Sequence, residues 1–160
     1  MSVWGAIAGG FVGTLVLTTA LSTASQLGLT RMDLPFLLGT IVSSDRSRAK
    51  ALGYAMHFAI GLLFALVYLG IYAAIGHSGW LLGALFGLVH GLFAGTALVT
   101  VLLPVVHPRM GTPFSAAADR PLLEAPGFMM LNYGRRTPLA TILAHIAYGA
   151  IVGGFISLAS

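Results

Sequence analysis

Histidine is the residue type with the most chemistry to offer in this chain, and two of its five histidines are placed alike. His57 lies in the series Gly53, His57, Gly61, Ala65, and His145 in the series Thr141, His145, Gly149, Gly153. Residues four apart share a helix face, so each imidazole belongs to a stripe of small residues that should turn into a helical bundle. Two equivalent imidazoles from different helices are candidate axial ligands for a haem iron, which makes haem b the candidate cofactor. With His107 as a third ligand, His57 and His145 are also a candidate metal set. The competing reading is that each neutral imidazole donates a hydrogen bond across a helix interface, contributing about 0.6 to 2 kcal/mol in a membrane. His90 shares an inward face with Gly83, Gly87, Ala94 and Ala97, whereas His77 falls in a short polar turn and is expected to be solvated.

The remaining reactive groups are few. With no cysteine, disulfides, thiolate metal sites and thiol nucleophiles are excluded. The four carboxylates, Asp33, Asp45, Asp119 and Glu124, all fall in connectors. His107 with Glu124 is the one acid–base combination open to an enzyme, and no hydrolase triad order, phosphate loop or metalloprotease motif accompanies it. No catalytic residue is therefore assigned. Thr14, Thr18, Thr19, Ser22 and Thr23 would line a pore if the chain were a channel or transporter, but hydroxyls in helices more often bond their own carbonyls.

The elements that position these groups follow from composition. Of 160 residues, 58% are hydrophobic and 8% charged, and the mean hydropathy is +0.95. A soluble domain carries about a quarter charged residues, so the chain belongs to the membrane class. Apolar runs cover residues 3–29, 51–75, 80–106 and 138–159, each free of Asp, Glu, Lys and Arg. At 1.5 Å per residue each is long enough for a hydrocarbon core of roughly 30 Å. The connector 30–50 holds Arg31, Arg46, Arg48 and Lys50; the connector 107–137 holds Arg109, Arg120, Arg135 and Arg136. These are all eight basic residues, and the 76–79 turn and both tails have none. The positive-inside rule places both connectors in the cytoplasm and both termini outside. The net charge of +4 then serves anionic lipid headgroups, not nucleic acid. The first run has no basic side chain before it and is too long for a signal peptide, so it is expected to be retained. Both connectors contain apolar stretches with Pro and Gly, expected as short helices or turns at the membrane surface.

Self-similarity runs through the chain. Gly5, Gly9 and Gly13 precede Thr14, as Gly87, Gly91 and Gly95 precede Thr96, with Gly83 one step earlier. Arg31-Met32-Asp33-Leu34-Pro35-Phe36 matches Arg109-Met110-Gly111-Thr112-Pro113-Phe114, and His57-Phe58-Ala59-Ile60-Gly61 matches His145-Ile146-Ala147-Tyr148-Gly149. These ordered matches predict an all-α bundle in one domain, residues 1–160, made of two duplicated helical hairpins, about 1–76 and 77–160. Two-span repeats keep one orientation, so the pseudo-two-fold axis lies along the membrane normal, and His57 and His145 would face each other across it. Small residues every four positions let helices approach in lipid. The glycines named above, together with Gly61, Gly149 and Gly153, are therefore expected to pack helices.

The Gly-rich first helix, His-Phe-Ala-Ile-Gly and His-Ile-Ala-Tyr-Gly resemble small four-helix bacterial inner-membrane families of unknown function, over most of the chain. That resemblance implies an inner-membrane, multi-pass location. The leading expectation is an accessory or structural subunit of a larger membrane complex, with lipids and other membrane subunits as partners. A haem or metal electron-transfer protein built on His57 and His145 is the alternative, and a channel or transporter the next.

Overall fold

A computed structural model describes residues 1–111 and 123–159. The Thr112-Pro113-Phe114 half of the second Arg-Met motif, Asp119, Arg120 and Pro121 lie outside the described residues. The fold is all-α, with four helices long and apolar enough to cross a membrane. Helix α1 (Val3–Gln26) is the first span, and a short α2 (Leu34–Gly39) precedes α3 (Arg46–Ile75), the second. The third span is continuous but changes character. It begins as α4 (Trp80–Phe93), widens into a π-helical segment over Ala94–Leu102 and closes as α5 (Leu103–Val106). A 3-10 segment (Phe128–Tyr133) leads into α6 (Thr137–Leu158), the fourth span.

Local chemistry sets the ends. The Asp45 carboxylate accepts from the Arg48 amide at 2.8 Å, so α3 starts five residues before its apolar run, with Arg46, Arg48 and Lys50 in its first turns. Long basic side chains tolerate this because their stems lie along apolar surface while their heads reach water. Gly76, with φ +74°, ends α3 in the left-handed conformation that glycine supplies without steric cost. Asp33 caps α2 through the Phe36 amide at 3.2 Å. In the π segment the Thr100 hydroxyl reaches the Gly95 carbonyl at 2.5 Å, and Pro104 has no N–H to return to the turn before it.

The spans pack as a curved row in the order α3, α1, α6, third span. Both glycine ridges meet α6. A β-carbon on Gly83 would collide with the Gly149 carbonyl, one on Gly87 with the His145 carbonyl, and one on Gly153 with the Gly79 carbonyl. On the other side, a β-carbon on Gly9 would lie 2.9 Å from Phe155 Cβ, and one on Gly5 2.9 Å from Ala159 Cβ. Gly13 abuts the Tyr148 ring, Gly91 the His145 side chain, and Gly61 the Thr14 side chain. Gly95 instead meets Met129 of the second connector. Within a membrane such close approach supplies the dispersion contacts that hold helices together.

The row's two ends, α3 and the third span, lean together in one half of the bundle. Tyr72 stacks on Phe86 with ring centroids 5.4 Å apart, and Tyr68 meets Phe86 edge-on at 5.9 Å. In the other half, towards the basic connectors, the two spans part.

Candidate functional site

The parted half holds a cavity of about 370 Å³. Met56, Ile60 and Leu63 of α3 line one side and Leu98, Leu102 and Val106 of the third span the other. Ile60, Leu63, Leu102 and Val106 are also exposed, so among the described residues the cavity opens sideways, between two apolar helix faces. The volume is within the range of small-molecule sites, about 300–1,000 Å³.

The inner end is polar. His57, His90 and His145 line it together with Thr14, Thr141 and Tyr148. The α3 stripe brings His57 in beside α1, where its Nδ1 lies 3.0 Å from Thr18 Oγ1. Thr18 has one hydroxyl proton and gives it to the Thr14 carbonyl at 2.6 Å. Thr18 must therefore accept from His57, and a neutral His57 carries its proton on Nδ1 and its lone pair on Nε2. His145 comes to the same state by another route. Its Nδ1 donates to the Thr141 carbonyl one turn earlier at 2.8 Å, leaving Nε2 as the acceptor.

The ring in contact with His145 is His90, edge-on with centroids 4.8 Å apart. His90 is packed against Phe64 at 4.0 Å, and its Nδ1 lies 3.3 Å from the Tyr68 hydroxyl. The hydroxyl protons around the cavity are spent within the protein. Tyr148 donates to the Gly61 carbonyl at 2.5 Å and Thr14 to the Gly10 carbonyl at 2.6 Å, while Thr141 points at Met130 Sδ at 3.9 Å.

His107 is placed elsewhere. It is buried between the third span and the first connector, its Nε2 3.0 Å from the Leu37 carbonyl and 3.1 Å from Thr40 Oγ1. The Arg109 amide donates to its Nδ1 at 3.1 Å, so both ring nitrogens are engaged. Burial is the main cause holding its pKa below the usual histidine value, and the neighbouring Arg109 charge acts in the same sense. His57 and His145 are thus brought together and His107 is not among the cavity residues. Among the described residues no group of three or more His, Asp or Glu is arranged to hold a metal ion. Glu124 pairs with Arg31 at 3.2 Å and Asp33 with Lys50 at 3.2 Å. Of the hydroxyls in α1, Thr14 and Thr18 bond back to their own helix, and Thr19 and Thr23 lie on its exposed face. His77 is exposed.

Sequence reasoning did not find Thr18 or Met130 as parts of this site. Met129 and Met130 are buried at φ +51° and +62°, left-handed conformations that non-glycine residues adopt at a cost of about 1 kcal/mol or more each. Met130 and the π segment both line the cavity. Two departures from regular backbone therefore converge on one place, as is common at functional sites. No pattern in the residues announces either departure. The Thr18–His57 contact follows from α1 lying against α3. Comparison with protein-family models, curated proteins and solved structures gives no match, and what the structure supports is a multi-span, all-α membrane protein.

Proposed function

We propose that this protein binds a bilayer-soluble small molecule, admitted sideways between α3 and the third span and held with its polar end at the three histidines. The observation that carries this reading is the 370 Å³ cavity with apolar walls and a histidine-lined end. Left empty, such a space would deprive its apolar walls of their dispersion contacts. Something therefore fills it, either acyl chains through the mouth or a dedicated occupant. Haem is one candidate occupant, since iron takes the Nε2 lone pairs that His57 and His145 present, each ring being fixed from behind by a hydrogen bond.

The test is to purify the protein in mild detergent, extract it with organic solvent and analyse the extract by mass spectrometry. A stoichiometric apolar compound, lost in Leu98→Trp, is the expected result. A dithionite-reduced minus oxidised spectrum on the same sample reads haem directly. Extracts that contain bulk lipid alone, unchanged by Leu98→Trp, would remove the proposal.

A second reading keeps the chain as an accessory subunit of a membrane complex. It is favoured by α3, whose most apolar stretch is 17% buried against 44% for α1 and α6. A partner helix on α3 would appear as a larger species on native gels, dispersed by Leu66→Arg. In either case the charge pattern supports cytoplasmic connectors and outer termini, and the resemblance to small bacterial inner-membrane families supports an inner-membrane location. The paired motifs support descent from a duplicated hairpin.

A further inference from the structure

The occupant's polar end can be deduced from the protons already in place. We infer that the cavity selects an apolar molecule whose head is a hydrogen-bond donor, a hydroxyl of the alcohol or hydroquinone class, over one whose head only accepts. This rests on the cavity reading above and specifies its ligand.

The argument is an accounting of donors. Thr14, Thr18 and Tyr148 each give their hydroxyl proton to a backbone carbonyl. His57 gives its Nδ1 proton to Thr18, and His145 gives its own to the Thr141 carbonyl. What these two imidazoles have left to offer is a lone pair on each Nε2, and His90, with Nδ1 beside the Tyr68 hydroxyl, adds at most one N–H, so acceptors outnumber donors at the polar end. A buried acceptor without a donor costs about 1–3 kcal/mol. An acyl chain brings these acceptors no donor, and neither does a ketone, ether or ester. A hydroxyl head donates to one of them. The discrimination works as in sites built to bond a substrate hydroxyl, which reject the analogue lacking it.

The experiment uses three molecules of one skeleton: a decyl hydroquinone, its di-O-methyl ether and its quinone. Each is titrated calorimetrically into the full chain in phosphatidylcholine nanodiscs, the hydroquinone under anaerobic conditions. The hydroquinone is expected to bind at least about tenfold more tightly than the ether or the quinone. His57→Phe and His145→Phe should each lower that preference, weakening hydroquinone binding more than ether binding. Where a histidine variant fails to fold, Thr18→Val decides, since it keeps the ring and the cavity but releases the His57 proton from its fixed position. Its expected effect is a fall in preference through weaker hydroquinone binding. Equal affinity for hydroquinone and ether, or tighter binding of the quinone, overturns the inference and leaves the cavity reading standing. If none of the three binds and no compound co-purifies, the cavity reading itself falls.

Discussion

The α1–α6 interface and the α3–third-span interface lie on opposite sides of the same molecule and are built from opposite residues. Where α1 meets α6, Gly5, Gly9 and Gly13 bring backbone against Phe155, Val152 and Tyr148, and the helices touch along their length. Where α3 faces the third span, the residues are Met56, Ile60 and Leu63 against Leu98, Leu102 and Val106. Large apolar side chains hold the two helices apart beside the mouth, and the Tyr68–His90 contact joins them further along. Glycine thus marks where this membrane bundle is closed, and leucine where it is open. If the two hairpins are copies, the counterpart of the α1–α6 contact is the α3–third-span pair, which holds the cavity.

Substitutions at the two interfaces should separate sharply. Gly5→Leu or Gly9→Leu drives a side chain into a packed helix, and a cost of about 3 kcal/mol or more is expected. The measurement is loss of the monodisperse peak and a fall in the thermal midpoint. Leu102→Ala, at the mouth, should change stability by under about 1 kcal/mol, because lipid already reaches that side chain. Equal losses at both interfaces would break the comparison.

Acidification probes a third contact, where His107 ties the first connector to the end of the third span. Its folded pKa lies below the ordinary 6.5, so the unfolded chain takes up the proton first. The stability it contributes is complete above about pH 6.5 and is lost as pH falls below that value. Thermal midpoints at pH 7.5 and 5.5 should differ less in His107→Gln than in the parent.

Tyr148→Phe removes the hydroxyl bond to Gly61, which links α6 to α3 across the inner end of the cavity. About 1 kcal/mol is expected, read by thermal unfolding in detergent. Arg31→Ala should have the smallest effect, within about 1 kcal/mol, since its partner Glu124 is half exposed and water screens the pair. A larger loss would assign the weight to the Arg31 bond with the Asn132 carbonyl.

Much of this arrangement was legible in the residues, and the remainder has physical reasons for being hidden. The spans follow from uncharged runs, because the bilayer penalises charge over a fixed length. His57 and His145 turn inward because their stripes are small enough for a neighbour to cover. Which neighbour covers which stripe is not written in a period of four. Both glycine ridges chose α6, and the order of the row is a global outcome of packing. The start of α3 at Arg46 depended on the Asp45 cap and on side chains able to reach water. His90 was read as inward, but its edge-on contact with His145 needed the third span to be set against α6. The left-handed methionines lie in a connector whose apolar character suggested surface helices or turns, and nothing local demands that conformation of Met129 and Met130.

Thr100 has a consequence for how occupancy would be felt outside the bilayer. Its hydroxyl lies 2.5 Å from the Gly95 carbonyl and 2.9 Å from the Gly127 carbonyl, and accepts from the Met129 amide at 3.0 Å. It rivets the π segment to the connector that leads into α6. Leu98 and Leu102 stand two residues to either side of it and line the cavity. A displacement of these leucines would therefore bear on Gly127 and Met129, and through them on the stretch that carries Arg135 and Arg136. The wall of the cavity and the connector that carries these two arginines are held together through one hydroxyl.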